Sequence, residues 1–190
     1  MHPLLQSYFQ ERTSISMEEL DSISPYFMEK NCKKNEYLLR EGEVCKYNYF
    51  VVSGCLRLFS VNKQGIENTR YFAFEGKFGT SFTSLITKEP SFEYIQCLEN
   101  SKVLYIQRDD FYFLVETVPA VNKIYRNIME SAYITTQKRI YDLQGSDSLD
   151  RINWLLKNYP QILNRLSNKI VASYLGITPY TLSRLKARLK

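Results

Sequence analysis

The segment 168–185 combines a small residue, a glycine and a helix cap at a spacing that few local folds can accommodate. Ala172 is small where two helices would have to cross closely, and Gly176, four residues later, can adopt the left-handed backbone that ends a helix. Thr178 and Pro179 then suit the N-cap and the first position of a second helix. The spacing therefore predicts a helix-turn-helix.

The second helix of this motif is expected to be amphipathic. Leu182, Leu185 and Leu189 recur at three- and four-residue spacing, so this face should be buried against Val171 and Leu175 of the first helix. The remaining positions offer hydroxyl, aromatic and basic side chains, which are the groups that contact DNA bases and phosphates. We expect the DNA-binding residues to be Lys169, Thr178, Tyr180, Thr181, Ser183, Arg184, Lys186 and Arg188.

These side chains suggest different roles on DNA. Arg184 can donate two hydrogen bonds to guanine, and Tyr180 can contact a thymine methyl group or a phosphate. Thr181 and Ser183 can reach phosphates or base edges, whereas the lysines and Arg188 would neutralise the DNA backbone.

Charge is distributed unevenly along the chain. Residues 151–190 hold eight Lys and Arg and no Asp or Glu, whereas residues 1–150 hold 17 basic against 20 acidic residues. A net charge of +8 at one end of the chain favours a polyanionic partner, here double-stranded DNA. A solvated basic tail without a partner would instead be polar and aperiodic, and this segment is strongly patterned.

The first half of the chain is rich in strand-forming residues separated by glycines and prolines. We predict an all-β barrel or sandwich, preceded by a short helix that a capping box begins at Ser16 and that ends at Ser22. The predicted strands are Tyr47–Ser53, Leu56–Val61, Asn68–Phe74, Phe92–Cys97 and Lys102–Gln107.

A helical pattern follows the strands. Asp109 or Asp110 can cap a short helix, and Pro119 is placed to begin a longer one that reaches about Leu143. The longer helix has an apolar stripe that could pack on the barrel of its own chain or against a second copy. We favour the second copy, which assigns as dimer-helix residues Val121, Ile124, Tyr125, Ile128 and Ala132.

Composition argues against several other classes of protein. No apolar stretch approaches the roughly 18 residues that a membrane span needs, and the N-terminus lacks an export signal, so we expect a cytoplasmic protein whose four cysteines are reduced. The single histidine, His2, lies at an end that we expect to be mobile. We therefore expect no metal site, no catalytic residues and no enzymatic activity.

Three motifs resemble the cyclic-AMP receptor and fumarate-nitrate regulator (Crp/Fnr) superfamily over nearly the whole chain. They are NEYLLREGE at 35–43, YFVVSGCLRLF at 49–59 and LGITPYTLSR at 175–184. The resemblance implies an α+β protein with a cyclic-nucleotide-binding-like β jelly roll at 1–118, a dimerisation helix at 119–145 and a helix-turn-helix domain at 146–190. It also implies a homodimer, a sensory barrel and RNA polymerase as a partner.

The chain departs from this family where a cyclic nucleotide would bind. The corresponding residues are Gly79, Thr80, Ser81, Ser91 and Phe92, so the segment lacks the glutamate and the arginine that hold the ribose and the cyclic phosphate. A phosphate would lose its bidentate charged partner, and we expect that cyclic AMP is not bound in the usual way. An unknown small-molecule effector, or none, stays open.

Two alternatives and two departures from the family complete the expectations. The chain could be a cyclic-nucleotide-binding signalling module whose C-terminal helices dock a protein partner, or a redox sensor acting through Cys45 or Cys55. Tyr180 stands where the family usually has glutamate, so the family's base preference does not transfer. Because the sequence ends at Lys190, we expect no wing after the second helix.

Overall fold

The computed structural model describes residues 1–188. The chain divides into two compact units, one formed by Met1–Ser60 with Tyr71–Glu130 and the other by Val61–Arg70 with the chain from Ser131 onward. This division falls inside the long helix, whereas the predicted domain boundaries lie at its two ends. It also groups the tip of one β-hairpin with the C-terminal unit.

Helices and strands follow one another in an α+β order, as predicted. The helices are α1 (Pro3–Gln10), α2 (Met17–Ile23), α3 (Phe82–Thr87), α4 (Arg108–Thr117), α5 (Pro119–Gly145), α6 (Ser148–Asn158), α7 (Ile162–Arg165), α8 (Asn168–Leu175) and α9 (Pro179–Arg188). The strands are β1 (Met28–Cys32), β2 (Tyr37–Leu39), β3 (Tyr47–Ser53), β4 (Leu56–Val61), β5 (Glu67–Ala73), β6 (Phe78–Gly79), β7 (Tyr94–Cys97) and β8 (Ser101–Gln107).

Two four-stranded sheets form the β domain. Strands β1, β8, β3 and β6 pair antiparallel in that order, and β2, β7 and β4 do so in a second sheet that β5 completes. Alternate residues of β3 point to opposite faces, so Val51 enters the core between the sheets while Phe50 enters a second core. That second core lies between the sheet and helices α1, α2, α4 and the start of α5.

The strands with the clearest sequence pattern were predicted best. The bounds of β3 and β4 are confirmed, and the predictions for β5, β7 and β8 differ from the structure by one or two residues. Strands β1, β2 and β6 were not among the predicted strands. Only the last residue of β1 is buried, so this edge strand has no apolar alternation to detect.

The N-terminus is ordered, and the expectation of a mobile end is wrong. The imidazole Nδ1 of His2 accepts a hydrogen bond from the backbone N–H of Leu4 at 3.2 Å, which caps α1, and Pro3 occupies the first turn. Leu5 and Phe9 of α1 are buried in the helix-side core. One aliphatic and one aromatic side chain of α1 therefore anchor the N-terminal segment to the β domain.

Helix α4 begins differently from the prediction. Neither Asp109 nor Asp110 caps it, because the helix already starts at Arg108 and Gln107 at the N-cap makes no side-chain hydrogen bond. The backbone N–H of Arg108 instead donates to the Lys46 carbonyl at 2.8 Å. The two aspartates lie in the first turn, where their charge favours the positive end of the helix dipole.

One further observation concerns membranes. Among residues 1–188, no helix has the combination of length and apolar character that a membrane span requires.

Candidate nucleic-acid interface and sensory barrel

The turn between α8 and α9 has the geometry that its sequence predicts. Gly176 adopts a left-handed backbone with φ of 67°, and its N–H donates to the Ala172 carbonyl at the end of α8. The N–H of Ile177 donates to the same carbonyl at 3.1 Å. Thr178 then caps α9, since its Oγ1 accepts from the N–H of Thr181 at 3.1 Å, and Pro179 is the first helical residue. The direction of α9 is thereby fixed at its first turn.

The buried face of the helix-turn-helix also agrees with the prediction. Val171 and Leu175 of α8 and Leu182 and Leu185 of α9 are buried, and Ala172 is 1% exposed at the crossing of the two helices. The remaining members of this core come from α6, α7 and the residue that follows α7, namely Ile152, Leu155, Ile162 and Leu166. The predicted Leu189 lies outside the described residues.

The opposite face of α9 is exposed and free of acidic residues. Tyr180 is 71% exposed, and Ser183, Arg184 and Arg188 are exposed beside it. The guanidinium carbon of Arg184 lies 5.8 Å from the centre of the Tyr180 ring, at the distance of a cation–π contact. Four of the predicted DNA-binding residues thus share one accessible surface.

Three of the other four predicted residues have additional contacts. The hydroxyls of Thr178 and Thr181 lie 2.9 Å apart, so capping and this mutual hydrogen bond occupy both. The Lys186 ammonium donates to Oδ1 of Asn168 at 3.2 Å, which ties α9 to the start of α8. Lys169 is exposed in the first turn of α8.

Two arginines that the sequence analysis treated only as charge hold this motif in place. Arg151 of α6 donates to the carbonyl of Leu175 at 3.0 Å and to that of Ser146 at 2.6 Å, which joins the C-terminal ends of α8 and α5. Arg139 of α5 donates to the carbonyls of Tyr174 at 2.6 Å and Thr69 at 2.7 Å. Cations are stabilised at helix C-termini, where the dipole is negative.

Arg139 is the more buried of these two groups. Its guanidinium stacks on the Tyr174 ring at 4.1 Å. Burial lowers the pKa of Arg139, because the charged form loses water, and the positive charges of Arg70 and Arg151 lower it further. Arg139 contacts two residues that lie 35 and 70 positions away from it in sequence, so no local pattern could have predicted these contacts.

Three of the predicted effector side chains are buried, and Phe92 is not. Thr80, Ser81 and Ser91 are at most 3% exposed, whereas Phe92 is 56% exposed on the surface. Gly79 is buried in β6, next to Thr80 in sequence. The structure brings the hydroxyls of Ser81 and Ser91 within hydrogen-bond distance of each other, and Phe92 does not join them.

This buried region contains hydroxyls and a carboxyl group. Ser81 Oγ lies 3.0 Å from Ser91 Oγ and donates to Oε2 of Glu93 at 3.3 Å, and Glu93 is 3% exposed. Thr80 donates to the Tyr47 carbonyl at 2.8 Å. Residues 78–93 include no arginine, so this segment does not itself supply the bidentate charged partner of a cyclic phosphate.

A buried arginine also occurs in the β domain, outside residues 78–93 in sequence. Arg57 of β4 is 2% exposed and its guanidinium stacks on the Phe59 ring at 4.1 Å. Phe59 in turn stacks on Tyr94 with ring centres 5.0 Å apart. The sequence motif contained Arg57, but its burial among aromatic rings could be seen only in the fold.

The four cysteines are free thiols, as predicted, and all are buried. Burial raises the pKa of Cys97 to about 12, with Cys32 beside it as a further cause, and burial is also the main cause of the raised pKa of Cys32. Cys45 and Cys55 are at most 1% exposed, which makes them poorly accessible to oxidants. Among the described residues, no group of three or more His, Cys, Asp or Glu side chains could hold a metal ion.

The predicted dimer helix has two different surfaces. Val121 and Ile124 are each 2% exposed in the core of their own β unit, and Tyr125 and Ile128 pack against that core. The first two therefore cannot contact a second copy, so their assignment to a dimer interface is wrong, and packing on the chain's own barrel is the correct alternative. Ala132 is half-buried. Beyond it lie exposed apolar residues, namely Tyr133, Ile134, Ile140, Tyr141 and Leu143.

Comparison with known proteins identifies a similar domain and a similar fold. Residues 29–118 match the cyclic nucleotide-binding domain. The chain is 22% identical to the electron transport regulator A of Shewanella oneidensis, over 93% of this chain and 75% of that protein. The structure of FixK2 from Bradyrhizobium japonicum is similar with a TM-score of 0.76 and 18% identity, covering 86% of this chain and 84% of that one.

A second solved structure is also similar. A crp/fnr-family regulator from Eubacterium rectale has a TM-score of 0.71 and 17% identity, with 96% of this chain and 87% of that chain covered. The resemblance drawn from the sequence motifs is thus confirmed: the chain carries a cyclic nucleotide-binding domain within the fold of the Crp/Fnr regulators.

Proposed function

We propose that this chain is a sequence-specific DNA-binding transcriptional regulator that acts as a homodimer. The observation that carries the proposal is the exposed face of α9, where Tyr180, Ser183, Arg184 and Arg188 lie together on a helix with a fixed start. No Asp or Glu occurs in residues 151–190. A rigid, basic helix that presents hydrogen-bond donors suits the major groove.

The second half of α5 supports association with another copy of the chain. Tyr133, Ile134 and Tyr141 are each at least 65% exposed, and Ile140 and Leu143 are also exposed. An apolar surface on a long helix is stabilised when a two-fold partner covers it. A two-fold dimer would also present two copies of α9 to half-sites about one turn of DNA apart.

The β domain is proposed to sense something other than cyclic AMP. Residues 78–93, which correspond to the family's phosphate-binding segment, contain no arginine to hold a cyclic phosphate. A different small-molecule effector, or none, is compatible with this segment. RNA polymerase is the proposed protein partner at promoters, on the basis of the regulators that the chain resembles.

Salt-dependent binding to a duplex tests DNA recognition. We expect the purified full chain to bind genomic DNA fragments at low salt, with a log–log slope of about −0.9 for each neutralised phosphate. Arg184→Ala should weaken binding to a selected operator roughly 10- to 100-fold for each half-site while the protein stays folded. Arg126→Ala, which removes an exposed arginine of α5 in the other unit, is the matched control and should have no effect.

The same experiment separates the proposal from its alternative. If the protein fails to retain any DNA at low salt, the C-terminal helices are better explained as a surface that docks a protein partner. The dimer is tested independently by sedimentation of Ile134→Asp, which should be monomeric if the exposed surface of α5 joins two copies. A variant that sediments like the unaltered protein would rule out that surface.

A further inference from the structure

We propose that Tyr180 determines base specificity: its ring orients Arg184 and contacts the base beside the guanine that Arg184 reads, which favours thymine there. This inference rests on the proposed DNA-binding function and deepens it. Tyr180 and Arg184 lie four residues apart on α9, so their side chains project from the same face. The guanidinium carbon of Arg184 lies 5.8 Å from the centre of the Tyr180 ring.

The side chains around Arg184 favour its contact with the Tyr180 ring. No carboxylate occurs between residues 151 and 190, so no acidic side chain of this segment competes for the guanidinium. The neighbouring cation Lys186 is engaged with Asn168, and the hydroxyls near the start of α9 are used in capping. The Tyr180 ring, which is 71% exposed, lies within cation–π distance of Arg184.

Stacking orients a flexible cation before it meets a base. A guanidinium held by an exposed ring should bind its base about two to five times more tightly than one that moves freely, which corresponds to a weak cation–π contact. A base-reading arginine must hold its planar fork toward two guanine acceptors, so restriction of its motion improves discrimination more than general attraction to DNA. Tyr180 is therefore a positioning residue for Arg184.

The ring has a second consequence for the neighbouring base. Four residues of an α-helix span about 6 Å along its axis, which is close to the length of two base-pair steps. Tyr180 would therefore face the base one or two steps from the guanine. An aromatic face packs well on the thymine C5 methyl group. A phenol carries no charged acceptor for the cytosine amino group, which a carboxylate at this position would provide.

Selection from a random duplex pool tests this specificity. The full chain and its Tyr180→Phe, Tyr180→Ala and Tyr180→Glu variants would each be used to select DNA for sequencing. We expect the unaltered protein to select guanine with thymine one or two steps away, and Tyr180→Phe to select the same motif. Tyr180→Ala should keep the guanine, lose the thymine and bind the selected site about two- to tenfold more weakly. Tyr180→Glu should replace thymine with cytosine.

The outcomes distinguish this inference from the proposed function. If Tyr180→Ala and Tyr180→Glu select the same motif as the unaltered protein with equal affinity, Tyr180 does not determine specificity, although DNA binding stands. If the unaltered protein selects no motif, the proposed function itself fails. Low-salt binding to unselected DNA should be the same for the unaltered protein, the Phe variant and the Ala variant, which shows that a lost motif does not reflect misfolding.

Discussion

Removal of the Arg151 guanidinium should loosen the C-terminal unit, because this group joins the ends of two helices. It donates to the carbonyls of Leu175 at 3.0 Å, Ser146 at 2.6 Å and Asp142 at 3.2 Å. A hydrogen bond from a charged donor is worth about 1.5–3 kcal/mol, but water can replace part of this at a half-buried site. We expect Arg151→Met to lower the free energy of unfolding by about 2–3 kcal/mol.

Trp154 provides a specific assay for this effect. It is the single tryptophan of the chain and lies in α6, three residues from Arg151, so its fluorescence reports on the C-terminal unit. With a urea dependence of about 1–1.5 kcal/mol/M for a unit of this size, the midpoint should fall by about 2 M. The urea midpoint of Arg151→Lys should lie between those of Arg151→Met and the unaltered protein, because an ammonium cannot bridge both helix ends.

An exposed residue of the same helix provides the control. Lys157→Met removes a charge from the last turn of α6, where the side chain is exposed, and should change the free energy of unfolding by no more than about 0.5 kcal/mol. If Arg151→Met unfolds at the same urea concentration as this control, the hydrogen bonds to the helix ends do not stabilise the unit and the reasoning is refuted.

Three further predictions concern single positions. Gly176→Ala should destabilise the same unit by about 1–2 kcal/mol, because φ is 67°, and Gly176→Asn by less; equal urea midpoints for Ala and Gly would contradict this. Asn48→Leu should raise thermal stability by about 1–2 kcal/mol, since its amide is 0% exposed and neither amide atom has a hydrogen-bond partner among the described residues; a lower melting temperature would contradict this. Cys97 should resist thiol reagents at pH 8 until urea is added. Because its folded pKa of about 12 exceeds the ordinary 9.0, its stability contribution is complete below pH 9 and is lost as the pH rises toward 12; rapid labelling of the native protein would argue against this burial.

The helix-turn-helix was predictable because its signals are local. Capping by Thr178, the left-handed Gly176 and the small Ala172 each act within four residues of their partners. Strands β3 and β4 were predictable for a similar reason, since Ser53 and Gly54 mark the turn between them. Elements with short or mostly exposed sequences, such as β6 and β1, give no comparable periodic signal.

Interactions between distant residues were beyond local patterns. The sequence indicates that residues 151–190 are basic, but it does not show that Arg151 is occupied by the carbonyls of Leu175 and Ser146 and so is less available to DNA than Arg184. The effector region is an intermediate case: Ser81, Ser91 and Glu93 are visible in the sequence as residue types, and only folding brings their side chains together.

Helix α5 shows why an apolar stripe cannot identify its own partner. Hydrophobic periodicity requires that something cover the stripe, and it states nothing about which surface does so. The first part of the stripe is covered by the chain's own β unit, with Val121 and Ile124 each 2% exposed. From Tyr133 onward the apolar side chains are exposed instead. A surface for a second copy is therefore expected to begin about two and a half helical turns after Ile124, within the unit that also contains α9.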